Sequence, residues 1–447
     1  MFSPTRVGAG SWIREGGWWL AERWTSLIAA MAAQIVVIRI VGPAEYGQIA
    51  YPLAVLALLL PLVQWGAAGL VGKSLLASPD QAPRIMGAAL FVRMAGATVA
   101  VCLSCAYWFM ESGGHPRPAV IALALSQFAL FLQVIEQPFQ VLVPARPLAA
   151  ARIFVTILAA LLKTIAAWRF ESASAVLLVY ALENLLQGVA HAWALRQTSG
   201  TWPCPRHDAV WTRWLVSRSP WLVAAGLAEA VYLKIDLLML EKLADPAELG
   251  TYAAAARISE AWFIVPAVAV ATGLPRLWRH RGVQVRWNTA LQRGFDGLFA
   301  MAFLVALTVS SLAVPLVDLL LGEKMTGSAA ILSIHIWGGV FAAMRALLSR
   351  WLLLEDLVRI SLWTTVCGAV TNVMLNLLLI PEFGGRGAAT ATVISYAVAG
   401  YLSLFLSRQT RPIALQMSKA MALPLRRRDL SKYVRLTRRL VRVRRAG

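Results

Sequence analysis

Long apolar runs, broken at short intervals by turn-forming or charged positions, occupy the chain from residue 18 to residue 407. Stretches of 18 or more mostly apolar residues fall at 18–40, 48–72, 85–110, 119–143, 149–168, 173–195, 215–240, 249–275, 293–317, 328–353, 358–380 and 387–407. A helix needs about 20 such residues to cross the hydrocarbon of a bilayer. Lipid offers no partner to backbone N–H and C=O groups, so each run is predicted to be helical. The separators are helix breakers or charges, as in Gly42-Pro43, Ser78-Pro79-Asp80, Gly113-Gly114, Arg146-Pro147, Asp245-Pro246 and Pro381-Glu382. Trp18, Trp19, Trp108, Trp168, Trp214, Trp278 and Trp351 stand near predicted span ends, where an amphipathic ring suits the headgroup layer.

Composition agrees with this pattern. Of 447 residues, 59% are hydrophobic and 14% charged, and the mean hydropathy is +0.65. Soluble domains carry roughly a quarter charged residues, so a soluble, disordered, fibrous or nucleic-acid-binding protein is excluded. The net charge of +20 needs a place in this scheme. With the N-terminus cytoplasmic, the inward loops, their adjoining helix ends and both termini hold 29 Lys/Arg, and the outward segments hold six. The positive-inside rule then puts both termini in the cytoplasm, which requires an even number of helices. Residues 408–447 contain 13 Lys/Arg and one acid, Asp429. Between Leu430 and Val443 apolar and basic positions interleave as in an amphipathic helix lying on anionic inner-leaflet lipids; a solvated tail is the alternative. Cys102, Cys105, Cys204 and Cys367 form no disulfide framework, and neither they nor the five His have metal-ligand spacing.

Pro43-Ala44-Glu45-Tyr46-Gly47 recurs as Pro246-Ala247-Glu248-Leu249-Gly250, an offset of 203 residues. Each copy follows the first helix of a six-helix half, which points to duplication. Six is even, so the halves run in the same direction, as in transporters built from parallel repeats around a cavity. The expected organisation is an N-terminal lobe over 1–200, a cytoplasmic linker over 201–213, a C-terminal lobe over 214–407 and a basic tail over 408–447.

Gly42-Pro43-Ala44-Glu45-Tyr46-Gly47 resembles the signature of Wzx-type polysaccharide flippases of the multidrug/oligosaccharidyl-lipid/polysaccharide (MOP) exporter superfamily. Three further stretches are similar to that family: Tyr232-Leu233-Lys234-Ile235-Asp236, residues 250–260 from Gly250 to Glu260, and the Asn-rich helix and glycine turn from Asn372 to Thr392. The resemblance implies an all-α, MATE-like fold of about twelve helices in two lobes facing a central cavity. It also implies a non-enzymatic function: flipping an undecaprenyl-pyrophosphate-linked oligosaccharide across the bacterial inner membrane by alternating access, beside other polysaccharide-assembly membrane proteins. The lipid II flippases of the superfamily have fourteen helices, which makes peptidoglycan precursor the less favoured cargo. A cation-coupled exporter of amphipathic drugs on the same scaffold is the alternative.

Charges within the spans are the candidate chemistry, because an ionised group at the bilayer centre costs about 3 kcal/mol and normally faces a cavity or a partner. Arg93, Arg345 and Arg257 lie roughly 12 Å from the nearest ends of their helices at 1.5 Å per residue. With Arg23 they are the candidates for binding pyrophosphate, since a guanidinium fork matches phosphate oxygens. Structural ion pairing is the competing reading, above all for Arg257 with Glu260. Glu183, Glu229 and Asp236 are candidates for carrying a coupling H⁺ or Na⁺; no other cofactor is expected. Asn372 and Asn376, one turn apart, suit either sugar hydroxyls or interhelical hydrogen bonds. Gly72-Lys73-Ser74 lacks the first glycine of a phosphate-binding loop and closes a membrane helix, so nucleotide binding is set aside.

Overall fold

The structure, a computed structural model, describes residues 9–111, 115–278, 281 and 283–425. All regular elements among them are helices. In chain order these are α1 (Ala9–Gln64), α2 (Ala67–Ala77), α3 (Ala82–Met110), α4 (Arg117–Ser126), α5 (Glu136–Val141), α6 (Arg146–Phe170), α7 (Ala173–Ser199), α8 (Ala209–Arg218) and α9 (Pro220–Leu243). There follow α10 (Pro246–Ala261), α11 (Ile264–Trp278), α12 (Gln284–Ser311), α13 (Ala313–Leu320), α14 (Gly327–His335), α15 (Gly338–Leu354), α16 (Val358–Gly400) and α17 (Arg411–Met421). Prolines sit at the first turns of α3, α4, α6, α9 and α17, where a missing N–H costs nothing.

Nine stretches of the described residues are long and apolar enough to cross a bilayer. Two of them, Glu15–Ala77 and Val358–Leu406, each contain two predicted spans. The chain breaks inside α1 at Gly42 (φ 80°, ψ −180°) and inside α16 at Gly384 (φ 54°, ψ −132°), backbone that glycine alone adopts readily. The remaining predicted span, α9, carries Glu229, Lys234 and Asp236 across its centre and lies outside the nine. The twelve predicted spans thus all have helical counterparts in a polytopic, all-α membrane protein.

The chain forms two compact units: residues 1–253 with 318–326, and residues 254–317 with 327–447. In the first, α1 packs on α3, α6 and α9, and α6 packs on α7. Lipid tails are as apolar as leucine, so packing of small residues holds such helices together. Ala88, Ala89, Ala97 and Ala100 of α3 are buried, and a Cβ on Gly96 would come within 2.2 Å of the Leu62 carbonyl of α1. The two copies of the repeated motif also meet in this unit. A Cβ on Gly47 would lie 2.6 Å from Pro246 O, and one on Gly250 would lie 1.8 Å from Pro43 O. Each glycine therefore accepts the proline carbonyl of the other copy, the reciprocal contact expected of duplicated elements. Glu45 of the first copy accepts a 2.7 Å hydrogen bond from Ala173 N at the start of α7.

In the second unit a core of Trp287, Leu291, Phe295, Met344, Leu348 and Met417 joins α12, α15 and α17. Buried Ile413, Ala414, Met417 and Ala420 turn one side of α17 onto that core, at the start of the segment expected to be tail. The amphipathic stretch predicted at 430–443 lies outside the described residues.

Candidate functional site

Within the first unit, charges drawn from separate helices meet one another. Arg152, in the second turn of α6, forks across two carboxylates, Nη2 to Glu22 Oε1 and Nη1 to Glu136 Oε2, both at 3.1 Å. Glu136 also accepts from Gln140 Nε2 at 2.7 Å, and Ser26 Oγ donates to Glu22 at 3.5 Å. A planar fork bridging two acids satisfies donors and acceptors that would each be costly alone in hydrocarbon. His191 of α7, 2% exposed, lies in the field of Arg152, Glu136 and Arg93. Its Nδ1–H donates to the Gln187 carbonyl at 2.6 Å. Its Nε2 is buried without a hydrogen-bond partner.

A second chain runs from α6 through α7 to α1. Lys163 Nζ donates to Glu183 Oε2 at 2.5 Å and sits 3.7 Å from the centre of the Tyr180 ring. Tyr180 OH donates to Gln34 Oε1 at 3.3 Å, and Gln34 Nε2 donates to Tyr46 OH at 2.7 Å. Lys163 is thus both buried and paired.

The other first-unit candidates are placed as follows. Arg93 is 3% exposed and donates from Nε to Val63 O of α1 at 3.3 Å. Asp236, also buried, accepts from Leu237 N at 2.9 Å and from Tyr252 OH. Glu229 is exposed and lines a cavity of about 250 Å³ between α1 and α9 with Gln64 and Lys234. Arg23 is exposed and makes no hydrogen bond among the described residues, while its neighbour Glu22 is held by Arg152. At the far end of α9, Lys242 Nζ donates to both Glu111 oxygens at 2.9 Å, and His115 Nε2 lies 2.9 Å from Glu241 Oε1. Its hydrogen bond to Glu111 raises the Lys242 ammonium above the ordinary lysine range.

The second unit satisfies its polar groups differently. Arg345 of α15 donates from Nη1 to Ala399 O at 2.5 Å and from Nη2 to Thr365 Oγ1 at 2.7 Å, touching both legs of the bent α16. Asn376 Nδ2 donates to Asn372 Oδ1 at 2.6 Å, and Asn372 Nδ2 donates to Ser395 Oγ at 3.1 Å. Both asparagines are fully buried, so in this arrangement they meet one another and the facing leg. Asn376 Oδ1 is left without a partner. Arg257 of α10 is exposed and forms no ion pair among the described residues, so the bridge expected with Glu260 is not made. The structure brings Asn372 and Asn376 together; Arg23 and Arg93 share the first unit, Arg257 and Arg345 the second. Arg152 and His191 escaped the sequence reading. Arg152 stands close enough to its helix start to count as an interfacial cation, and its two partners are 130 and 16 residues distant. No group of three or more His, Cys, Asp or Glu suited to a metal ion occurs among the described residues.

Comparison with known proteins agrees with this framework. The family model described as polysaccharide biosynthesis protein matches residues 16–279. The probable low-salt glycan biosynthesis flippase Agl15 of Haloferax volcanii is 23% identical over 233 residues, which are 50% of this chain and 49% of that protein. The chain thus spans about half the length of this curated relative. A structure titled lipid II flippase MurJ, in an inward closed conformation, matches with a TM-score of 0.64 at 12% identity, over 90% of this chain and 91% of that one. An inward-facing multidrug resistance MATE family transporter of the MOP superfamily matches with a TM-score of 0.64 at 12% identity, over 88% and 96%. At these identities the structures establish the fold, and the matched 16–279 segment, more than half of the chain, shows that the protein belongs to the polysaccharide biosynthesis protein family.

Proposed function

We propose that the protein flips an undecaprenyl-pyrophosphate-linked oligosaccharide from the cytoplasmic to the periplasmic leaflet of a bacterial inner membrane, by alternating access, for surface polysaccharide assembly. The observation that carries this reading is the exposed Arg257 at membrane depth, without a carboxylate partner among the described residues. A solvated cationic fork of this kind attracts phosphate oxygens and repels organic cations. Arg23 plays the same part in the first unit. Arg93 and Arg345 position helices from which pyrophosphate contacts are made, and Asn372 and Asn376 keep the legs of α16 in register beside the sugar path. Glu229 takes the coupling H⁺ or Na⁺: it faces a cavity, whereas Glu183 is held by Lys163 and Asp236 by Tyr252.

The test uses the full chain in vesicles with a fluorescent polyprenyl-pyrophosphate oligosaccharide, following the fraction protected from a membrane-impermeant quencher. Arg257→Gln and Arg23→Gln are each expected to slow flipping about tenfold, the worth of one charge-assisted contact, with Lys retaining part of the rate. Glu229→Gln is expected to abolish any dependence on the ion gradient. Unchanged flipping in the arginine variants, or gradient-driven efflux of a cationic dye instead of flipping, overturns the reading.

A further inference from the structure

The second unit contains a cavity of about 460 Å³ between α11, α12 and α15, within the range of about 300–1,000 Å³ typical of small-molecule sites. Its walls are almost wholly apolar, with Val270, Gly273 and Leu277 from α11 facing Gly297 and Met301 from α12. Among the described residues, the single polar side chain on its lining is Arg293, one turn before Gly297. Val270 and Leu298 belong to the packed core of the unit, so the floor is rigid. The space above it is open, since a Cβ built on Gly273 or on Gly297 would meet nothing within 4 Å. Gly294 is different: a Cβ there would lie 2.9 Å from Leu347 Cδ2, which closes that wall. Arg293 is exposed and has no ion pair or hydrogen bond among the described residues. The carboxylate three residues on, Asp296, is buried and accepts from Gln292 Nε2 at 2.7 Å.

These properties exclude most occupants. A glycan needs several donors and acceptors, and among the described residues the walls supply one residue with either. A cationic amphiphile would meet Arg293. What fits is one hydrocarbon chain carrying an anionic head, the chain along the glycine-widened walls and the head on the guanidinium. Short side chains beside an adaptable methionine leave room for methyl branches.

We infer that this slot holds the isoprenoid chain next to the phosphate of a polyprenyl phosphate-type lipid, with Arg293 on the phosphate. The inference rests on the flippase reading and adds a place for the lipid end of the cargo. It is tested with the full chain in phosphatidylcholine nanodiscs and a polyprenyl phosphate bearing a diazirine in its tail, the labelled peptides being located by mass spectrometry. Labelling is expected within residues 264–301. Gly297→Leu and Gly273→Leu, which fill the slot from facing helices, each reduce it about tenfold while leaving the unfolding temperature unchanged. Arg293→Gln reduces labelling by the phosphate probe to the level of the uncharged polyprenol analogue. Labelling elsewhere, labelling indifferent to both leucine variants, or equal competition by phosphatidylglycerol overturns the slot. The two readings fail separately: wild-type flipping without labelling here removes only the slot, and labelling without flipping removes only the transport reading.

Discussion

The groups singled out in the two units find their partners in different ways. In the first, opposite charges from different helices are brought together, Arg152 with Glu22 and Glu136, and Lys163 with Glu183, and the repeated motifs cross at glycines with no space left. In the second, Arg345 bonds a carbonyl and a hydroxyl, the asparagines bond one another and a serine, and Gly273 and Gly297 border open space. A carboxylate cancels the charge it meets, whereas a carbonyl or hydroxyl satisfies the donors of a guanidinium and leaves its charge in place. The first unit crosses closely where the repeated motifs meet, and the second brings open glycines and the exposed Arg293 together on one cavity.

The sharpest test of that contrast is one substitution made at two glycines. Gly250→Ala drives a methyl into the Pro43 carbonyl, and backbone on both sides cannot retreat as side chains do. Overpacking costs about 1–3 kcal/mol, and here the upper end or loss of folded protein is expected, read as monodisperse yield and unfolding temperature in detergent. Gly297→Ala should be neutral or stabilise by about 0.5–1 kcal/mol, because alanine is the better helix former and the site is open. Equal stability of the two variants would mean that the reciprocal crossing does not hold the first unit.

Next in size is the cost of removing one arginine from each unit. Arg152→Ala leaves two acids facing each other, one of them only 5% exposed. Loss of one partner from a buried pair costs about 3–5 kcal/mol, and the 25% exposure of Arg152 puts the expectation at the lower end. Adding Glu22→Gln to Arg152→Ala should restore part of the loss. Arg345→Met removes two hydrogen bonds to neutral acceptors, worth about 1 kcal/mol each, and should cost less than the Arg152 change. A reversed order in chemical unfolding would break the distinction drawn between the units.

The sequence made one half of this contrast visible and hid the other. Spans were legible because apolar length and separators such as Gly42-Pro43 and Arg146-Pro147 are local properties, and the duplicated motif was legible because its copies are identical in four positions of five. The contact between the copies was not, since recurrence says nothing about distance. Arg93 and Arg345 stood out as deep cations with no acid within four residues, yet their carbonyl partners belong to other helices and carry no side-chain signature. Arg152 was hidden for the opposite reason: its place near a helix start suits an interfacial cation, and only tertiary packing supplies Glu22 and Glu136. The helix α17 was masked by the basic composition of the segment around it.

The smallest expected effect concerns a part of this electrostatic pattern that lies outside the spans. Asp208 caps α8, accepting from Trp211 N at 3.0 Å, and receives Arg84 Nε of the α3 first turn at 2.8 Å. The Trp211 amide first, then the Arg84 guanidinium, hold its carboxyl below the ordinary value of 3.8. A depressed carboxylate adds stability above its ordinary pKa, and that contribution disappears as pH falls through the folded-state value. Asp208→Asn keeps an oxygen for the cap and removes only the charge, since Asn and Asp cap about equally well. Wild type should therefore unfold at a slightly higher temperature than Asp208→Asn at pH 7, and the gap should close as the pH drops below the ordinary carboxylate range. High salt should narrow the gap at pH 7 as well, because the pair is solvent-exposed. A gap that stays constant with pH and salt would show that the side chain acts through the cap alone, and that the charge pairing of the first unit stops at the membrane surface.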